Sequence, residues 1–321
     1  GFAMTKWQSP FLSHLNFTIM KTWHIYSFVL FCMPLFLMAQ NNKKSTEEIS
    51  GNSESYVLTD ISYINDAVFM GRRDSIVAPY IFPSIGYYDT YGFFVDASVT
   101  YLVGSEENRV DLFLTSFGYT FGGEKLGGGI SSTAYFFNDD SYNAKSSVLG
   151  DISGFLSYDL KALEVSLMAS TYFNDGSSTD IFVGLLLDRF FYNNDKSFLI
   201  GPSISVYAGS QYFYQEYYST SRLGNRKGQG QGQGSGGSSS TVSTTVEIQE
   251  ASEFNILNVE LSLPLQYYHK QFIFSFTPVL AFPQTSATIT TADTIITEDL
   301  ESTFYFSAGI SYWFITKNKL Q

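Results

Sequence analysis

Apolar and polar side chains alternate with a period of two along most of the chain after about residue 75, and this alternation constrains the fold more than any other feature. In the last such segment, every second residue from Phe304 to Phe314 is apolar, whereas Ser307 and Ser311 are among those between them. A period of two is the pattern of β-strands with one apolar face. The chain is therefore predicted to be all-β, although a soluble sandwich and a membrane barrel share this period.

Strand length favours the membrane barrel. A tilted strand needs about 9 to 11 residues to cross a bilayer, whereas strands of soluble proteins average about 5 to 6. The long alternating segments are Ser75–Tyr88, Gly92–Leu102, Arg109–Phe121, Leu126–Phe137, Ser147–Leu160, Ala162–Phe173, Thr179–Phe191, Ser197–Gly209, Phe254–Tyr268, Gln271–Phe282 and Thr303–Phe314. With Tyr56–Phe69 as a further strand, both termini lie on one side of the membrane. The prediction is a transmembrane antiparallel up-and-down β-barrel of about twelve strands, or ten if the early segments plug or cap it.

Strand ends and connections point to the same fold. Aromatic residues make up 17% of the chain and charged residues only 15%, and aromatic pairs such as Tyr87–Tyr88 and Tyr267–Tyr268 end the segments, where the girdles of membrane barrels lie. Short turns that carry a lysine alternate with longer, acidic loops. Outer-membrane barrels have short periplasmic turns and longer external loops, so Gly71–Asp74 is predicted to be the external turn after the first strand.

The segment Met20–Ala39 has the composition of a secretory signal peptide, with one lysine, an apolar stretch and a small residue at its end. The predicted organisation is an upstream extension at 1–19, the signal peptide at 20–39, a disordered segment at 40–55, the barrel at 56–315 and a tail at 316–321. The segment 218–245 contains a Gly/Gln/Ser-rich tract. Because such a composition builds no packed core, this segment is predicted to be a long external loop. The expected location is the cell outer membrane.

The chain resembles the outer-membrane β-barrel proteins of Gram-negative Bacteroidota. The residues that carry this resemblance are Leu37-Met38-Ala39-Gln40, Gly71-Arg72-Arg73-Asp74-Ser75, Pro79-Tyr80, Pro83-Ser84 and the aromatic final strand. The resemblance implies the architecture and names no chemistry. One departure is that outer-membrane strands commonly finish on a terminal Phe, whereas Phe314 is followed by seven further residues, Ile315–Gln321.

Several classes of function are disfavoured. The formal net charge of −12 argues against nucleic-acid binding, which needs clustered Lys and Arg. A single cysteine argues against disulfides and Cys-based zinc sites, and no cofactor is expected. A hydrolase of the Ser/His type is disfavoured because His269, the one histidine beyond the signal peptide, falls in a predicted periplasmic turn. The chain is therefore predicted not to be an enzyme.

The alternation places five carboxylates inside the barrel, and no Lys or Arg shares the inward register within those strands. These predicted lumen carboxylates are Asp96, Asp151, Glu164, Asp188 and Glu260. Carboxylates in a narrow lumen require hydration, hydrogen bonds or a cation. The predicted function is narrow passive transport, or binding of cations or a small ligand, by a monomer surrounded by outer-membrane lipids and lipopolysaccharide. A surface adhesion or envelope-structural barrel is the alternative, and an outer-leaflet hydrolase is the third hypothesis.

Overall fold

A computed structural model describes residues 55–73, 77–104, 108–138, 141, 143, 145–175, 178–217, 247–248, 251–290 and 295–316. The predicted extension and signal peptide, nearly all of the predicted disordered segment, the loop at 218–245 and all but the first residue of the tail lie outside these ranges.

The chain folds into a closed antiparallel β-barrel of twelve strands, which confirms the predicted fold class and strand number. Nine barrel strands are continuous: β1 (Tyr56–Ile64), β2 (Tyr80–Tyr88), β3 (Phe93–Val103), β4 (Asn108–Gly122), β5 (Leu126–Phe137), β6 (Val148–Asp159), β7 (Glu164–Asn174), β15 (Phe272–Pro283) and β18 (Thr303–Ile315). The other three are each built from two segments: β8 (Thr179–Asp188) with β9 (Phe191–Tyr192), β10 (Phe198–Ile200) with β11 (Ser203–Gly209), and β13 (Asn255–Ser262) with β14 (Leu265–His269). The barrel closes where β1 pairs with β18 and where β15 pairs with both β13 and β14.

Three strands that the alternation predicts to be continuous are interrupted. The interruptions lie at Arg189–Phe190, Gly201–Pro202 and Leu263–Pro264, on neighbouring strands. Proline has no N–H to donate to a β-ladder, which explains two of the breaks. At this point the Gly201 amide donates to the Pro264 carbonyl oxygen over 2.9 Å, so the two irregular strands remain connected.

The two ends of the barrel differ. At one end the connections are the short turns 89–92, 123–125, 160–163, 193–197 and 270–271, and Ser55 and Thr316 meet there through a backbone hydrogen bond of 2.9 Å. This end is called the short-turn end, and the opposite end, with mostly longer connections, is called the loop end. Lys161, Lys196 and Lys270 adopt positive φ angles in the short turns. The loop end also carries a short helix α1 (Tyr212–Tyr217) and a small sheet of β12 (Glu247–Ile248), β16 (Thr288–Thr290) and β17 (Ile295–Thr297).

The outer surface of the barrel is apolar. Large hydrophobic side chains on its strands are exposed, among them Ile61, Phe117, Ile130, Leu156 and Ile181. The residues that alternate with them are buried and face the interior, which is called the lumen. Within the described residues, no helix is long and apolar enough to cross a membrane.

The first loop corrects one prediction. The strand β1 ends at Ile64 and does not continue to Phe69, and residues 65–73, called the plug segment, fold into the mouth of the barrel. Phe69 and Arg72 exchange backbone hydrogen bonds of 2.8 and 2.9 Å around Met70 and Gly71, which have φ angles of 52° and 76°. At Gly71 a Cβ atom would lie 2.8 Å from the Asn258 side-chain oxygen. The part of the predicted external turn that the structure describes is therefore a buried or half-buried tight turn; Asp74 lies outside the described residues.

Candidate functional site: the barrel lumen

An aromatic cluster, called the aromatic roof, packs at the loop end of the lumen. It consists of Phe69 from the plug segment, Tyr172 and Phe182 from the wall, and Phe213 from α1, all buried. The ring centroid of Phe69 lies 4.9 to 5.8 Å from the other three, with the rings edge to face, which is a favourable arrangement of aromatic quadrupoles. The roof therefore joins the plug segment, two barrel strands and the helix in one packed unit.

A wall carboxylate holds the first turn of α1. The Asp180 carboxylate on β8 accepts hydrogen bonds from the backbone amides of Tyr212 and Phe213 at 2.8 and 2.7 Å. It also accepts from the Ser210 hydroxyl and the Asn174 amide at 2.6 and 2.8 Å. These bonds satisfy amides that a helix leaves unpaired at its start, so Phe213 is placed over the lumen by the wall itself.

Arg72 of the plug segment is buried and binds residues from two other loop-end segments. Its guanidinium forms an ion pair with Glu298, donates to the side chain of Gln211 and donates to the Thr285 carbonyl oxygen at 2.7 Å. The guanidinium carbon lies 4.3 Å from the ring centroid of Tyr214, whose hydroxyl donates to Glu298 at 2.9 Å. These contacts are called the Arg72 latch, because they tie the plug segment to the rest of the mouth.

A second buried base enters from the connection between β5 and β6. The Lys145 ammonium donates to the Tyr135 hydroxyl at 2.6 Å, and that hydroxyl donates to the Asp151 carboxylate at 2.5 Å. The same ammonium lies 3.8 Å from the ring centroid of Tyr135, 4.5 Å from that of Tyr172 and 5.3 Å from that of Phe69. Three aromatic faces and an indirectly linked carboxylate therefore surround one positive charge beneath the roof.

The short-turn end of the lumen has its own apolar cluster, called the apolar floor. Its members are Tyr56, Leu58, Tyr88, Phe94, Ile273 and Trp313. Tyr56 and Tyr88 stack with their ring centroids 4.9 Å apart. The lumen is thus apolar on one side of the short-turn end and aromatic at the loop end, with a polar zone between.

The five predicted lumen carboxylates lie on inward-facing positions, four of them buried and Asp96 half-buried. Asp151 is linked to Tyr135 as described above. Glu260 accepts from the side-chain amide of Asn258 at 2.8 Å and from the Tyr305 hydroxyl at 3.4 Å. Glu164 and Asp188 stand opposite each other on β7 and β8, and Asp96 stands opposite Ser116. The structure therefore distributes these carboxylates around the wall and brings one pair together.

Sequence reasoning missed six buried charged groups, which are Asp60, Asp66, Arg72, Asp111, Lys145 and Asp180. Asp60 on β1 is buried and accepts hydrogen bonds from Ser62 and Ser311. Arg72 and Lys145 are buried bases that reach the lumen from loops, where the strand register makes no prediction. Strand alternation assigns an inward or outward face to strand residues and gives no information on loop residues. The apolar run Ala67-Val68-Phe69-Met70 breaks the period of two and was the available signal for an inward-folding loop.

The described residues hold one histidine and no cluster of three or more potential metal ligands. Histidine occurs among them only at 269, an exposed position at the end of β14 where its ring stacks on Tyr267. Within the same residues, no group of three or more Asp, Glu, His or Cys side chains is arranged to hold a metal ion.

No protein-family model matches the chain, and no curated protein is significantly similar to it in sequence. Among solved structures, a KdgM porin is similar at 10% identity and a TM-score of 0.43, over 79% of this chain and 98% of that one. An outer-membrane channel from Pseudomonas putida F1 is similar at 10% identity and a TM-score of 0.43, over 85% and 100% of the two chains. LpxR from Salmonella typhimurium is similar at 10% identity and a TM-score of 0.39, over 80% and 100%. Similarity at this level identifies neither a family nor a substrate.

Proposed function

We propose that this chain is an outer-membrane barrel, of the Bacteroidota type that its sequence resembles, which binds and passes small cationic solutes through its acidic lumen. The charge imbalance of the lumen carries the proposal. Among the described residues, the buried carboxylates are Asp60, Asp66, Asp111, Asp151, Glu164, Asp180, Asp188 and Glu260, whereas the buried bases are Arg72 and Lys145, both at the loop end. A fixed negative field in a low-dielectric passage attracts cations and repels anions.

The distribution of partners supports the same function. The loop-end carboxylates are engaged: Asp66 binds Arg73 at 3.2 Å, Asp111 binds Arg109 at 3.0 Å, and Asp180 caps α1. Below the roof, both oxygens of Asp188 and one oxygen each of Asp96 and Glu260 have no hydrogen-bond partner among the described residues. A buried carboxylate without a partner is costly, and a cation offsets that cost.

The aromatic roof and the Arg72 latch pack together at the loop end, and in the proposed function the plug segment moves aside when a solute passes. The contacts of this latch break together when Arg72 is displaced, because its guanidinium contacts Gln211, Thr285 and Glu298 at once. Passive transport then proceeds through a state in which this latch is open.

The proposal is tested in planar bilayers with a tenfold KCl gradient, on the wild-type barrel and on an Arg72→Ala variant in which the latch is lost. The expected result is a reversal potential on the cation-selective side in the variant, with lower open probability in the wild type. An anion-selective reversal potential would contradict the proposed function. A correctly folded Arg72→Ala barrel that never conducts would also contradict it.

The alternative is a surface adhesion or envelope-structural barrel without transport. The tight packing of the lumen favours it, because the roof and floor side chains are buried at both ends. Fixing the plug segment covalently to the wall distinguishes the two functions. A transport barrel then loses conductance, whereas a structural or adhesion barrel keeps its function. An outer-leaflet hydrolase, the third hypothesis, is supported by no arrangement of side chains in the described residues.

A further inference from the structure

A row of oxygen-bearing side chains crosses the lumen wall near the short-turn end. Glu164 begins β7 and Asp188 ends β8, and the two are direct cross-strand partners. The row continues because Asp188 is also the partner of Ser203 on β11, and Ser203 is the partner of Ser262 on β13. Directly opposed residues have Cβ atoms about 4.5 to 5.5 Å apart, so both carboxylates can reach one ion.

The carboxylates of this row are enclosed by the wall. Glu164 is 2% exposed and Asp188 is 3% exposed. The phenol of Tyr192 interacts electrostatically with both of them. Neither of the buried bases among the described residues lies here, since Arg72 and Lys145 belong to the loop end. Two adjacent carboxylates therefore share a site in which their mutual repulsion is strong.

Two further observations indicate a ligand at this position. Both carboxylate oxygens of Asp188 are buried and have no hydrogen-bond partner among the described residues. The hydroxyl of Ser166, two residues after Glu164 on the same face of β7, is fully buried and likewise has no partner there. Next to Asp188, the hydroxyls of Ser203 and Ser262 lie 2.6 Å apart. The unpartnered oxygens of Asp188 and Ser166 and a pair of serine hydroxyls are thus collected beside Glu164.

The donor set selects a class of ion. Every side chain of the row offers oxygen, and hard cations such as Ca²⁺ and Mg²⁺ take oxygen ligands. Two carboxylates balance a divalent charge. Ca²⁺ accepts irregular geometry with carboxylates at about 2.3 to 2.6 Å, whereas Mg²⁺ demands a near-octahedral shell. The row presents its oxygens from one side of a curved wall, which suits the more tolerant ion.

We infer that Glu164 and Asp188 together bind a hard divalent cation of the Ca²⁺ class at the short-turn end of the lumen, with the Ser166 and Ser203 hydroxyls as further ligands. This inference deepens the proposed function and rests on it in placing cations in the lumen. The site is a binding site for the cation within the lumen. It does not depend on the plug segment, which lies at the opposite end.

The test uses the full barrel extracted from outer membranes in detergent and freed of divalent ions with EDTA. Calcium chloride is titrated by calorimetry, and the thermal unfolding midpoint is measured with and without it, because a ligand that binds only the folded state raises this midpoint. The wild type is expected to show saturable binding and a calcium-dependent rise in the midpoint. Asp188→Asn, which is nearly isosteric, is expected to weaken binding at least tenfold and to abolish the rise.

The matched control is Asp195→Asn, which removes a carboxylate from the exposed turn 193–197 at the same end and is expected to leave binding unchanged. Glu164→Gln is the second variant if Asp188→Asn does not assemble, as judged by heat-modifiable migration on gels. A wild type without a calcium-dependent rise, or an Asp188→Asn barrel that binds calcium as the wild type does, would overturn the inference. The bilayer measurement tests the proposed function separately. Cation selectivity without calcium binding would contradict the site and support the function. Calcium binding without conductance would support the site and contradict the function.

Discussion

At the scale of single residues, the lumen shows how a barrel tolerates buried charge. An isolated buried ion costs several kcal/mol unless it is paired and hydrogen-bonded. The Lys145 ammonium meets this condition through the hydroxyl of Tyr135 and three aromatic faces, and the Asp151 carboxylate is reached through the same hydroxyl. Each charge is therefore stabilised by the presence of the other.

This arrangement predicts coupled energetics. Lys145→Met keeps the apolar stem but leaves Asp151 without a counter-charge, so the free energy of unfolding is expected to fall by about 3 kcal/mol. Asp151→Asn leaves the ammonium unbalanced and is also destabilising. The double variant is expected to lose less than the sum, with a coupling of about 1 kcal/mol or more, measured by urea unfolding in lipid vesicles. Lys125→Met, in an exposed turn, is the control; strictly additive losses would show that the two charges do not interact.

The same residues show which side-chain positions could be predicted from the sequence pattern. Alternation fixes the face of a strand residue once the strand is known, so it predicts inward positions for Glu164 and Asp188. It carries no information on which loop folds back, and Lys145 and Arg72 reach the lumen from loops. Nor does it give the register between strands, which is what sets Glu164 opposite Asp188.

At the scale of elements, the plug segment is the part of the fold that departs most from a simple barrel. Its run Ala67-Val68-Phe69-Met70 is apolar on every residue, so a solvent-exposed loop would leave four apolar side chains in water. At the mouth of the barrel these four side chains are buried, and Phe69 packs within the aromatic roof. The Asp66 carboxylate accepts a hydrogen bond of 3.0 Å from the Ala78 amide, which connects the plug segment to the chain just before β2.

The Arg72 latch predicts a change in lumen access. Arg72→Ala removes the contacts with Gln211, Thr285 and Glu298 at once, so the plug segment is expected to leave the mouth more often. A cysteine placed at the buried lumen position Ser98 is then expected to react with a small cationic thiol reagent at least ten times faster than in the wild-type background. Arg73→Ala is the control, because Arg73 is half-exposed and pairs with Asp66. Equal rates in the two arginine variants would show that the latch does not hold the segment.

Strand predictions succeeded where the period of two is uninterrupted, as in Leu126–Phe137, which matches β5 at both ends. They failed to mark the breaks at Pro202 and Pro264, although proline in a predicted central strand is a recognisable warning. The side-chain pattern continues across each break, so it hides the interruption of the backbone ladder.

At the scale of the whole molecule, the short-turn end and the loop end predict an orientation. Outer-membrane barrels keep short turns in the periplasm, so the loop end is expected to face outward. Val77 is exposed at the loop end and Lys125 is exposed in a short turn. A membrane-impermeant maleimide added to intact cells is expected to label Val77→Cys and to leave Lys125→Cys unlabelled until the cells are permeabilised. The reverse pattern would place the short turns outside.

The charge imbalance of the lumen predicts selectivity that depends on salt. In the open Arg72→Ala background, changing Asp151, Asp188 and Glu260 together to Asn, Asn and Gln keeps the side-chain shapes and removes three negative charges. Cation preference, measured as the reversal potential in a salt gradient, is expected to fall, while heat-modifiable migration reports an assembled barrel. The preference of the parent is expected to weaken as screening shortens to about 3 Å at 1 M salt, because a field from fixed charges decays over the screening length. If the triple variant retains the parent selectivity at low salt, these carboxylates do not set the field, and the remaining candidates are Asp60, Asp96 and Glu164, which lie on the same wall.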